Sequence, residues 1–206
     1  MNHPILNHTE LLELLKKPKS SSIQKISQTE PWHISQDGIS HKDGKFFEVN
    51  FYQVSKGPAQ WVQPLMKTAT NPNGVIALFV CSQTIQDTDE VLVLLQIRDE
   101  PGFDTLMLGP SLQASMDNPL YQKLIPLLEN FSPNICNVDG DRYDHKVNLH
   151  YSPVITPEEF SRLYSEIPGN VVITPLNELA HIPREYIGDH LRVALSDFFL
   201  DTLSRD

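Results

Sequence analysis

The chain is poor in cysteine: Cys81 and Cys136 are the only two among its 206 residues. Neither lies in a C-x-x-C pattern, and a single pair cannot build a disulfide framework, which excludes a small cross-linked secreted scaffold. Both read as reduced and structural, and the compartment as cytoplasmic. Long apolar runs are missing as well. The longest, Gly74 to Cys81, is strand-sized and far short of the roughly 18 residues a membrane helix needs. The stretch Met1 to Lys17 lacks a charged region followed by an apolar one and a small-residue cleavage site, so no export signal is read in it. Basic clusters stop at Lys16-Lys17-Pro18-Lys19, and the net charge is -10. A nucleic-acid binder needs a basic footprint to neutralise phosphates, so neither nucleic acid nor membrane is expected as a partner. A small anionic ligand stays compatible, because a few placed cations hold one diphosphate.

Several common sites are also absent. There is no G-x-x-x-x-G-K-[ST] loop, no G-x-G-x-x-G turn, no G-x-S-x-G elbow and no H-E-x-x-H helix, which disfavours P-loop, Rossmann, α/β-hydrolase and zincin chemistry. His145 and His150, with Asp139, Asp141 and Asp144, form the only polar cluster with a metal-ligand look. It lacks the glycine and distal glutamate of a calcium loop. A solvated turn is the plainer reading, and no metal is expected there.

The hydrophobic fraction, 40%, is that of a globular chain. Leucines at 11, 12, 14 and 15 predict a short helix over Thr9 to Lys17 with Thr9 as its N-cap. Pro18 and Ser20-Ser21-Ser22 end it, so residues 1–22 read as helix and tether and 23–206 as a single module. From Gly38 the period becomes two, and Asp43-Gly44 supplies the turn of a hairpin running to Val54. Trp61 to Met66 predicts a further strand. Gly74 to Ser82 and Glu90 to Arg98 predict two central strands buried on both faces, with a polar turn between them. A strand starts at Thr105, a helix runs from Tyr121 to Asn130, and Lys146 to Tyr151 alternates as a strand. Thr156-Pro157-Glu158-Glu159 is a helix start, and Thr174-Pro175 repeats it. A last helix covers about Glu185 to Leu203. Strands first and helices last argue an α+β fold with helices on or beside a mixed sheet.

Polar side chains interrupt the apolar strands at Gln63, Gln96 and Gln113. A buried amide costs free energy unless it is hydrogen-bonded, so these three are candidates to line a polar cavity. The alternative is pairing with backbone at strand ends. Glu100 directly follows a strand, at its mouth.

The same residues carry a family likeness. His41-Lys42-Asp43-Gly44-Lys45-Phe46-Phe47, then Trp61-x-Gln63-Pro64, then a central apolar strand, follow one another in order. After them come Gln96 to Glu100-Pro101-Gly102 and Pro110-Ser111-Leu112-Gln113-Ala114-Ser115 through Asn118. Together they resemble the module of NDP-hexose 2,3-dehydratases, and Asp189 to Phe199 is similar to the helix that closes each module. The resemblance implies a Nudix-like mixed β-sheet flanked by helices. It does not imply Nudix hydrolysis, because the tandem-glutamate helix is absent. It implies action on a nucleotide-linked 4-keto-6-deoxyhexose without metal or redox cofactor. One module stands where the family has two, which implies a homodimer, paired through the final helix with Phe198 and Phe199 or through the helix at Tyr121. The sequence departs from the family at Lys67 to Gly74, at Arg98-Asp99 and at Asn118-Pro119-Leu120-Tyr121.

In the implied reaction the C4 ketone acidifies the C3 hydrogen, a base removes it, and the C2 hydroxyl leaves as water. Glu100 is the candidate base, since partial burial at a strand mouth strengthens a carboxylate as a base. Tyr121 or His41 is the donor to the leaving hydroxyl. Trp61, Gln63, Gln96 and Gln113 hold the enolate and sugar hydroxyls. Arg98 pairs with a diphosphate oxygen, and Ser115 and Asn118 complete the substrate-binding set. Each has a structural rival: His41 as a hairpin surface residue, Trp61 as core, Arg98 as a surface ion-pair partner. Two other readings stay open: a dehydratase or isomerase on another natural-product substrate, and a module that binds a nucleotide sugar or a partner protein without turnover.

Overall fold

Alternating burial of two apolar runs organises the computed structural model of the chain, which describes residues 3–19, 30–44, 47–54, 61–68, 74–85, 87–100, 103–116, 118–136 and 148–203. The elements run α1 (His8–Leu15), β1 (Trp32–Ile34), β2 (Gly38–His41), β3 (Phe47–Val54), β4 (Trp61–Thr68), β5 (Gly74–Ala77), β6 (Val80–Ile85) and β7 (Thr88–Arg98). They continue with β8 (Met107–Gly109), β9 (Leu112–Ser115), α2 (Pro119–Leu128), β10 (Asn134–Cys136), β11 (Asn148–Tyr151), α3 (Pro157–Glu166) and β12 (Asn170–Pro175). Two 3-10 turns, Leu176–His181 and Arg184–Tyr186, lead to α4 (Asp189–Leu203).

Side chains of a strand alternate between its two faces. Val75, Ala77, Phe79, Cys81, Leu92 and Leu94 therefore share one core with Leu124 and Leu128 of α2 and Phe160 and Leu163 of α3. Ile76, Leu78, Val80, Val93 and Leu95 share the other with Leu11 and Leu15 of α1, Leu179, and Leu191 and Ala194 of α4. Both central runs are buried on both faces, as their unbroken apolar composition predicts. The fold is α+β with helices on both sides. One sheet has the order β10-β11-β5-β9, in which only β11 and β5 are parallel; the other is β12-β7-β6 with β8 beside β7. A separate antiparallel meander, β1-β2-β3-β4, carries the predicted hairpin.

Four local expectations are corrected. The run Gly74 to Ser82 is not one strand; it breaks at Leu78-Phe79, where the chain passes from one sheet to the other. The buried Ser111 hydroxyl fills that break, accepting from Phe79 N at 2.8 Å and donating to the Leu94 carbonyl. The polar segment after it is mostly strand, with Ile85 opposite Thr88 and Asp87 at φ 62 in the tight turn, a conformation Asp tolerates. Asn7, not Thr9, caps α1, in a reciprocal box with Glu10. Thr156 caps α3 as expected, whereas Thr174 lies in β12 and its hydroxyl donates to the Leu6 carbonyl at 2.8 Å. With Leu6 N bonded to the Ile173 carbonyl, that contact ties the amino-terminal segment to the core.

Candidate functional site

β7 is fully buried from Leu92 to Leu95 and emerges at its carboxyl end. There Arg98 Nη1 donates to Gln113 Oε1 on β9, and Arg98 Nε lies 3.3 Å from Glu100 Oε1. Arg98 and Glu100 side chains are each 28% exposed, half-sheltered but reachable. Gly109 makes room for them: opposite Gln96 on β8, it lies under Arg98, whose Cδ would be 2.5 Å from an added Cβ. Arginine only donates, so the Gln113 oxygen must face it, and the Gln113 amide NH2 is left as a donor. Lys19, which follows α1, reaches the same place. Its ammonium donates to the Glu100 carbonyl at 2.6 Å and the Phe103 carbonyl at 2.5 Å, and pairs with Asp99 Oδ1 at 3.1 Å.

The structure thus brings together Arg98, Glu100 and Gln113. Gln96 takes a different path. Its Nε2 donates to the Pro168 carbonyl, 3.3 Å away, just past α3, so this amide is satisfied at the surface, not in a cavity. Gln63 sits in the meander opposite Tyr52; the Trp61 backbone pairs with Val54, and its side chain is outside the described residues. His41, at the end of β2, is buried edge-on against Trp32 at 5.4 Å, and its Nδ1 accepts from Asp43 N at 3.2 Å. Tyr121 is taken into the core beneath α2. Burial pushes the Tyr151 phenol up, and the neighbouring, hydrogen-bonded Tyr121 adds to the shift. Ser115 is exposed at the end of β9 and its carbonyl accepts from Asn118 N at 3.0 Å. Asn118 is the N-cap of α2, its Oδ1 accepting from Leu120 N at 2.8 Å, a task that explains an Asn before Pro119 without a ligand.

Elsewhere, His150 is buried on β11 with Nδ1 3.2 Å from Asp197 on α4, while Asp139, Asp141, Asp144 and His145 lie outside the described residues. Among the described residues no three His, Cys, Asp or Glu side chains group to hold a metal. Burial, with the Glu158 carboxylate adding, pushes the Cys81 thiol up, which keeps it protonated and inert. No described helix is long and apolar enough to cross a membrane. A groove of about 630 Å3 opens at the other end of β7, lined by Thr88 to Val91, Leu176, Leu195 and Phe199 among others.

A family model described as NDP-hexose 2,3-dehydratase matches residues 15–187, most of the chain and all of the cluster at the end of β7. The chain belongs to the NDP-hexose 2,3-dehydratase family. The dehydratase match begins at the last residue of α1 and stops before α4. No curated protein matches the chain. Among solved structures it is similar to a mutT/nudix family protein from Listeria innocua, at 13% identity and a TM-score of 0.42, over 64% of this chain and 94% of that one.

Sequence reasoning missed Lys19, Ser111 and Gly109. A serine between two apolar strands was a legible signal for Ser111. Nothing local marks Lys19, whose partners lie far along the chain.

Proposed function

We propose that this chain is a lyase that removes water across C2–C3 of a nucleotide-linked 4-keto-6-deoxyhexose, with the end of β7 as its site. The observation that carries this reading is the Arg98–Glu100–Gln113 cluster, which sets a cation, a carboxylate and an amide donor within one half-sheltered patch. Glu100 takes the C3 proton, and the electron pair moves onto the C4 oxygen, where the Gln113 NH2 donates to it. As the enolate collapses, the C2 hydroxyl leaves as water with the proton that Glu100 took from C3, which returns Glu100 to its carboxylate form, and the enol product tautomerises to the 3,4-diketone. Arg98 has N–H donors beyond those given to Gln113 and Glu100, and they suit a diphosphate oxygen. The chemistry is that of biosynthetic deoxysugar formation, and the buried free Cys81 suits a cytoplasmic setting.

Burial of Tyr121 beside Tyr151 removes one expected proton donor and favours a second reading, in which the module binds a nucleotide sugar without turnover. Incubation with a dTDP-linked 4-keto-6-deoxyhexose, followed by mass spectrometry, separates the two. Loss of water from the sugar establishes the lyase. A raised melting temperature with unchanged ligand mass establishes the binding module, and neither result would leave the cluster without a ligand of this class.

A homodimer accompanies either reading. Phe199 and Leu200 on α4 are 51% and 65% exposed, and a two-fold partner that covers them removes an apolar strip from water. Light scattering at low micromolar concentration should give twice the chain mass of 23.4 kDa; the single mass refutes the pair.

A further inference from the structure

We infer that Lys19 is a positioning residue for Glu100, so that the amino-terminal segment is a working part of the site. This rests on the dehydratase reading only for its effect on turnover. An ammonium has three N–H donors and no acceptor, and three oxygens surround this one: the Glu100 and Phe103 carbonyls and the Asp99 carboxylate. Its side chain is 13% exposed, deep for a residue type that is almost always solvated. With its donors committed, Lys19 is not a spare cation for phosphate.

The geometry explains why such a clamp is needed. Glu100 stands past the end of β7, where the ladder to β12 and β8 no longer holds the backbone. Pro101 and Gly102 separate Glu100 from Phe103 in the sequence. Lys19 gathers the carbonyls on both sides of that pair onto one point, and so fixes the backbone that carries the Glu100 carboxylate. Lys19 itself is anchored through α1, whose Leu11 and Leu15 are buried in the core. A carboxylate base displaced by about 1 Å loses on the order of a hundredfold in rate.

The test uses Lys19→Met, which keeps the stem and removes the donors, and Lys19→Arg, which restores them. Hydrogen exchange over residues 99–104 needs no turnover. It should accelerate at least about tenfold in Lys19→Met, which removes all three contacts when one charge-assisted hydrogen bond alone accounts for about that factor, and return toward wild type in Lys19→Arg. Unchanged exchange refutes the clamp whether or not the protein is a dehydratase. If the wild type removes no water while exchange behaves as stated, the dehydratase reading fails and the clamp stands. With an active wild type, kcat should fall about a hundredfold with KM little changed, and Lys19→Met should add nothing on a Glu100→Gln background. Equal losses on both backgrounds would make Lys19 merely structural and overturn the positioning role. Should Lys19→Met fail to fold, Asp99→Asn keeps the carbonyl bonds, removes the ion pair, and should show a smaller acceleration; no acceleration counts against the clamp.

Discussion

The two ends of β7 are built from one strand and present opposite surfaces. At the amino end, Thr88 to Val91 line an open groove with Leu176, Leu195 and Phe199, and Asp89 and Glu90 are its carboxylates among the described residues. At the carboxyl end, Arg98 pairs with Glu100 and Gln113, backed by Lys19. Between them Leu92 to Leu95 are wholly buried, so one buried strand carries two ends that differ both in their own residues and in what their neighbours offer. Volume and chemistry separate here. A large, mainly apolar concavity suits an apolar body, whereas the carboxyl end sets a carboxylate, a cation and an amide donor side by side, the kinds of group that removing a proton from carbon calls for.

The sharpest way to break that contrast is Glu100→Gln. Water loss from the keto sugar should slow by about a thousandfold, the usual scale of a general base, while thermal melting stays near wild type because the carboxylate is half-exposed. A variant that turns over normally would move the chemistry away from this end of β7.

Next in size is Ser111→Ala, aimed at the buried strand itself. It strands the Phe79 N–H and the Leu94 carbonyl in the core, and urea unfolding should lose about 2 kcal/mol or more. If stability is unchanged, the break between β5 and β6 does not depend on that hydroxyl.

Gly109→Ala should act on the site with little effect on the core. The new methyl meets Arg98 Cδ, and a flexible side chain gives way more readily than backbone. Melting should shift little, whereas KM for the nucleotide sugar should rise about tenfold, the equivalent of one charge-assisted bond. An unchanged KM would take Arg98 out of substrate binding.

The smallest effect concerns the helix that delivers Lys19. The His8 backbone N–H, and then its ring, donate to Glu178 and hold that carboxyl below its ordinary value. A carboxyl held low stabilises the docked helix above the ordinary carboxylate range, and that contribution disappears as pH falls through the lowered value. Exchange of the α1 amides should therefore quicken modestly as pH falls below the ordinary carboxylate range; a rate independent of pH would show that the His8–Glu178 contact does not hold α1.

The contrast also marks what was legible in the chain. The buried strands, the Asp43-Gly44 hairpin and the capped start of α3 are local patterns. They emerged largely as read because period and turn chemistry act between near neighbours. The same reading overreached with the glutamines. It treated Gln63, Gln96 and Gln113 as equivalent amides in apolar strands, whereas Gln96 is met by the Pro168 carbonyl and Gln113 by Arg98. Asn118 was grouped with a ligand set although the following Pro119 already made it a helix cap.

By itself the sequence determined the α+β class, the two-faced burial of the central strands and the family, since each follows from residues close together or in a fixed order. Only the tertiary structure decided which polar groups meet. Lys19 and Glu100 lie 81 residues apart and Arg98 and Gln113 15 apart. No periodicity reports the partner of a side chain at such distances, because the contact is made by the packing of α1 and β9 around the end of β7 and not by the segment that carries it.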